Sequence, residues 1–242
     1  MWFARAMRTL IYVPILHGGA DLGSLSRHVA EGGIAALGKE VWARHQETIA
    51  GFWRAVREYC DGIRAMGVKI YQDGMVADGP LARRIVEDTA AVGSLNYQLV
   101  LSLLDRGACL VKTEELDLVK REYDGLVAMT RARTMASRLL AAARYKLIKS
   151  ILLRRRDAFI AERIDETLDS GETGILFIGA LHKVAERLAP DIEIKEIKDA
   201  KRVRDYQRLL PCHSRHRQKL EELAEYLIGT VTCEPRGTEP HE

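Results

Sequence analysis

Two apolar runs, each ending at a histidine, constrain this chain more than any other feature. The first covers residues 9–16 and is followed by His17, Gly18 and Gly19. The second covers residues 174–181 and is followed by His182. Both are short, rich in β-branched and aliphatic residues and bounded by turn formers, the pattern of a buried strand. Ligand crevices in open α/β sheets lie outside the carboxyl ends of the strands. Two parallel strands of one sheet would therefore bring both imidazoles to one rim.

The segments between these runs alternate helix and strand. Residues 39–66 form an amphipathic pattern in which Trp42, Ile49, Trp53, Val56, Cys60 and Ile63 share a face, with Gly67 as the expected C-terminal cap. Residues 68–72 predict a strand ending at Asp73-Gly74. Pro80 suits the first turn of a helix running through Ile85, Val92, Leu95, Leu99 and Leu103 to Gly107. Residues 108–111 predict another strand, with Thr113 as a helix N-cap ahead of Glu114 and Glu115. The proline-free stretch 114–168 is too long for one ordinary helix and predicts a break near Gly125 or within residues 129–134. Residues 192–198 alternate as a half-exposed edge strand does. Helices at about 200–209 and 215–228 close the pattern. Pro14 lacks an N–H donor, so it belongs near a strand end or on an unpaired edge. The order implies an α/β fold with a mostly parallel sheet and helices on both faces, as one domain over residues 1–228. Residues 229–242, rich in Gly, Pro, Thr and Glu, predict a disordered tail.

Composition narrows the function classes. A hydrophobic content of 47% suffices for a core, and a net charge of +3 does not by itself imply nucleic acid. Basic residues cluster, however, at Arg131, Arg133, Arg138, Arg144, Lys146 and Lys149, and again from Lys201 to Arg217. Few aromatics separate them, so no stacking platform is evident; solvated helix faces are expected, with an acidic membrane surface or nucleic acid as the lesser reading. The four cysteines form no CxxC pair, which fits a cytoplasmic compartment, and Cys60 and Cys109 read as core residues. Arg5 and Arg8 precede an apolar stretch, but that stretch contains Pro14 and His17 and lacks an A-x-A cleavage site. No run reaches the ~20 apolar residues of a membrane span.

Four strand ends deliver polar groups: His17, Asp73, the Glu114/Glu115 pair and His182. Imidazole and carboxylate together can perform general acid–base chemistry, or bind a divalent metal such as zinc, manganese or cobalt through His17, His182 and Asp73. Each residue also has a bland reading: a strand-end histidine bonded to a loop, a first-turn histidine, a turn aspartate. The run Arg154-Arg155-Arg156-Asp157 sits in a helix with apolar residues on nearly all sides. Arg155 shares a face with Leu152 and Phe159, so Arg155 or Arg156 should point into a polar crevice. The loop after His17 is glycine-rich, and Ser24 in it is a candidate anion contact or cap.

Residues 155–164 (Arg-Arg-Asp-Ala-Phe-Ile-Ala-Glu-Arg-Ile) followed by Gly174–His182 resemble the second half of TraB/PrgY proteins. There an E-R-[ND]-x-x-M-A-x-x-I helix precedes an apolar strand ending G-A-G-H. An N-terminal strand ending G-T-x-H corresponds to Pro14-Ile15-Leu16-His17. The family is grouped with the Tiki metal-dependent peptidases, the erythromycin esterases and the ChaN proteins. The resemblance assigns the family arginine to Arg156, its Asn/Asp to Asp157 and its histidines to His17 and His182. Arg155 stands where the family has glutamate, Pro14 and Leu181 where it has glycine; a basic residue in place of the glutamate argues against a bound cation.

The resulting expectation is a hydrolase of an amide or ester, acting on a small-molecule or peptide substrate. His17, His182 and Glu114 would be catalytic, Arg156 would hold an anionic group or oxyanion, and Arg155, Asp157, Asp73 and Ser24 would contact substrate. The rival is a non-catalytic binder of anions or small ligands on the same fold; a third reading is a structural protein docking a partner through its basic helices. A homodimer is compatible with all three, and no nucleic acid is expected.

Overall fold

The computed structural model describes residues 7–21, 26–131, 134–231 and 234–235. Its centre is a sheet of strand order β3-β2-β4-β1-β5-β6, with β1 Arg8–Ile15, β2 Lys69–Gln72, β3 Cys109–Val111, β4 Thr173–Gly179, β5 Ile192–Glu196 and β6 Glu234–Pro235. The first five strands run parallel, and only β6 is antiparallel, beside β5. Residues 234 and 235 thus carry order that the composition of the tail did not suggest; residues 236–242 lie outside the described residues.

Alternation along the central strands explains why the two runs read as continuously apolar. Ile11, Val13 and Ile15 of β1 and Ile175 and Phe177 of β4 face one layer; Leu10, Tyr12, Leu176 and Ile178 face the other. A strand covered on both sides has no solvent face to make polar. The first layer contains α2 (Lys39–Asp61), α3 (Gly79–Ala91), α4 (Leu95–Asp105), α7 (Ala200–Leu209) and α8 (Arg217–Ile228), with α1 (Ser26–Leu37) against α2. The second contains the C-terminal half of α6 (Met135–Thr167), through Ile160, Ala161 and Ile164, while α5 (Leu116–Arg131) packs against α6.

Pro14 sits in the central β1. Pairing with β5 ends at Tyr12, so the amide that proline lacks would have pointed past the end of that neighbour. Arg8, at the opposite rim, is buried and forks Asp165 and Asp191 at 2.7 Å each.

Several local expectations are corrected. The helix opened by Pro80 breaks at Gly93 (φ 95°), and Ser94 caps α4 by accepting from the Tyr97 N–H at 3.2 Å. The helix from residue 39 ends at Asp61, six residues before Gly67, which instead turns the chain into β2 with φ 78°. Thr113 is no N-cap: its hydroxyl donates to the carbonyl of Gln72, tying β3's exit to β2's. The segment after His182 is a short 3-10 turn, Val184–Arg187. Cys60 is buried, and burial pushes its thiol up to about 12, but Cys109 is exposed at the start of the edge strand β3. The break within residues 114–168 comes where expected: α5 stops at Arg131 and Thr134 caps α6 in a reciprocal capping box with Ser137.

Candidate functional site

The chain leaves β1 toward β2 on one side of the sheet and leaves β4 toward β5 on the other, so the adjacent β1 and β4 flank a switch in winding direction. That is where a crevice opens in doubly wound sheets. His17 follows β1 by two residues and His182 follows β4 by three. Gly179 lies between them. A Cβ there would stand 3.8 Å from Nε2 of His17, 3.5 Å from Cδ2 of His182 and 3.2 Å from Oδ2 of Asp73. Three of the groups singled out from the sequence therefore converge on one glycine.

Asp73 joins the rim because β2 stops at Gln72 and Gly74 (φ 78°) turns the chain. Its Oδ2 accepts the Gly179 N–H at 3.0 Å and lies 3.7 Å from Nε2 of His182. Its Oδ1 accepts from Nη2 of Arg156 at 2.6 Å. Burial opposes ionisation of Asp73, but His182, Arg156 and His17, with the Gly179 N–H, outweigh it and hold the carboxyl below its usual range.

Of the glutamate pair, Glu114 is the one turned inward, with 0% of its surface exposed, while Glu115 faces solvent. Glu114 accepts from Arg156 Nε at 3.0 Å and from Nη2 at 2.6 Å. Burial raises its pKa against the pull of that guanidinium. Arg156 is 7% exposed and also donates from Nη1 to Glu122 of α5. At least four of its five N–H groups are thereby committed. Burial works against its charge, but Glu114, Asp73 and Glu122 more than compensate, so it stays cationic. The expected role for Arg156, holding an anion or oxyanion, is corrected on this geometry: it braces the carboxylates of β2, β3 and α5 and has little left to offer a ligand. Arg155 points to solvent, away from the rim, because one residue of helix turns a side chain by about 100°.

Asp157, next to Arg156 on α6, faces β4's exit. Its Oδ1 accepts from Nδ1 of His182 at 2.6 Å and its Oδ2 from the Lys183 N–H at 3.1 Å. A carboxylate can only accept, so Nδ1 of His182 carries a proton, and Nε2 is directed at Asp73. Burial disfavours the imidazolium, but Asp157 and Asp73 override it and raise the pKa of His182. Asp157 is thus a positioning group rather than a substrate contact. His17 differs: its side chain is 44% exposed, with Nδ1 3.8 Å from Asp21. Asp21 is fixed in turn by the Gly18 N–H at 2.7 Å and by the hydroxyl of Ser94. Ser24 lies outside the described residues.

No family model, curated protein or solved structure matches this chain.

Residues absent from the sequence reading complete the site. Glu122 was one acidic residue among many on α5. Asp21 and Ser94, 73 positions apart, meet only through the fold. Tyr97, whose hydroxyl faces Gln72, is pushed up to about 12 by burial and by the nearby Asp73 and Asp21. A cavity of about 510 Å³ opens elsewhere, between α2, α7 and α8 beside His45 and Tyr206, and holds none of these groups. We place the candidate site at the rim because the strand ends deliver its imidazoles and carboxylates together there.

The donor set does not fit a resident divalent metal. Asp73 is already bonded to Arg156 and Gly179, and Nδ1 of His182 to Asp157. Among the described residues no group of three or more His, Cys, Asp or Glu is arranged to hold a metal ion. The zinc, manganese or cobalt expected on His17, His182 and Asp73 is withdrawn on that geometry.

Proposed function

We propose that this protein is a hydrolase acting on an amide or ester of a small-molecule or peptide substrate, with its centre at the carboxyl rim between β1 and β4. The observation that carries the reading is the approach of His17, His182 and Asp73 to Gly179. His17 is the water-accessible imidazole and acts as general base on the attacking water. His182, held by Asp157 with its pKa raised, is the proton-bearing partner. It supplies positive charge to the developing oxyanion or a proton to the leaving group. Asp73 orients His182 from Nε2 while Arg156 keeps Asp73 and Glu114 in place. The resemblance of residues 155–182 to TraB/PrgY proteins is compatible with this class.

The alternative of a non-catalytic anion binder relied on an arginine-lined pocket. The saturation of Arg156 and the outward position of Arg155 count against it. The test is a panel of p-nitrophenyl esters and aminoacyl p-nitroanilides offered to the wild-type chain and to His17→Asn. Hydrolysis by the wild type that falls about 100-fold or more in the variant supports the reading; equal rates in both contradict it.

A further inference from the structure

Between Asp124 and Asp157 the chain holds nine of its 37 lysines and arginines and none of its 34 acidic residues. The rest of the chain is consequently net acidic. This segment covers the end of α5 and the first two-thirds of α6. The last part of α6 lies on the sheet through Ile160, Ala161 and Ile164, whereas its earlier part has α5 as its main neighbour. Along that earlier part Ile148 is 40% exposed and Ile151 47%. Arg154 and Arg155 are exposed beside them. At about 100° per residue Ile148, Ile151, Arg154 and Arg155 fall within about 120° of one another around the helix, so aliphatic and cationic side chains interleave on one outward surface.

We infer that this surface of α6 docks peripherally on an anionic lipid bilayer. Each feature has a use there. Ile148 and Ile151 enter the headgroup boundary, and Arg154 and Arg155 extend from the same face to lipid phosphates. Each basic residue near an acidic leaflet contributes about 1 kcal/mol. A second copy of the chain is a poor occupant of the same patch, since two acid-free basic surfaces repel. Nucleic acid would use the charge but has no use for exposed aliphatics, and Tyr145, the one aromatic of residues 125–156, is partly covered. The helix lies on the surface rather than crossing it: among the described residues no helix is long and apolar enough to span a membrane.

The experiment is co-sedimentation of the full chain with vesicles of phosphatidylcholine alone or with about one-third phosphatidylglycerol. Binding to the anionic vesicles, weakened by salt and nearly absent from the neutral ones, is the expected result. Arg154→Gln with Arg155→Gln should weaken it about 25-fold, the two 1 kcal/mol contributions combined. Ile148→Ser with Ile151→Ser should weaken it while circular dichroism stays unchanged. Equal binding to both vesicles, or to neither, overturns the inference. So does tighter binding to a DNA duplex than to anionic vesicles, or dimerisation through this surface that the arginine variant leaves intact.

Discussion

Asp157 commits both carboxylate oxygens to the segment that leaves β4, one to Nδ1 of His182 at 2.6 Å and one to the backbone of Lys183 at 3.1 Å. The pair fixes the tautomer of His182 and raises its pKa. A histidine whose folded pKa is raised adds stability that is complete below its unfolded value near 6.5 and is lost as pH climbs through the folded value. Asp157→Asn should therefore cost most at pH 5.5 and visibly less at pH 9, as read by urea unfolding at the two pH values. A cost independent of pH would contradict the pairing.

Arg156 is the brace of the site. Removing it leaves Glu114 buried beside Asp73 without a counter-charge, a loss of roughly 3–5 kcal/mol for a buried pair broken on one side. Arg156→Met should show that loss in chemical denaturation, and adding Glu114→Gln should restore part of it. Arg156→Lys should fall between, because an ammonium cannot fork three carboxylates.

Gly179 is small because three functional groups crowd it. Its φ is not left-handed, so Gly179→Ala meets no backbone strain. The added methyl presses on Oδ2 of Asp73 at 3.2 Å and fills the space between it, His182 and His17. Hydrolysis should fall at least tenfold while the loss of stability stays within about 1–3 kcal/mol. Unchanged kinetics would mean that the reacting groups do not work around this glycine.

His45 offers a control far from the rim. Its Nδ1 meets the Tyr206 hydroxyl at 3.0 Å, and burial holds its pKa down at about 4. Between pH 6.5 and 4 the unfolded chain takes up a proton that the folded chain refuses, so stability falls as the pH drops through that window. The loss approaches about 3 kcal/mol. His45→Gln should flatten it without altering activity near neutral pH.

Where the sequence could be read, periodicity made it legible. The central strands, α2, α7 and α8 follow from apolar spacing, and the parallel sheet follows from their alternation. The break at Gly93 was missed because Val92 and Leu95 carry the apolar pattern straight across it. Arg155 and Arg156 could not be separated in a helix that is apolar on nearly all sides. The strand ends pointed to His17, Asp73, Glu114 and His182. That Asp157 holds His182, and that Arg156 gathers carboxylates from three elements, depends on side-chain directions that no local pattern encodes.

A double-mutant cycle tests the central claim most directly. Hydrolysis of the best substrate from the ester and anilide panel is measured for wild type, His17→Asn, His182→Asn and the double variant, with melting temperatures alongside. Two imidazoles working in one centre should each cost about 100- to 10,000-fold in kcat/KM. The double variant should then be little worse than either single one, with the melting temperatures separating any loss of folded protein from the loss of rate. Strictly multiplicative losses, or wild-type rates in either single variant, would show that the two histidines do not share a site.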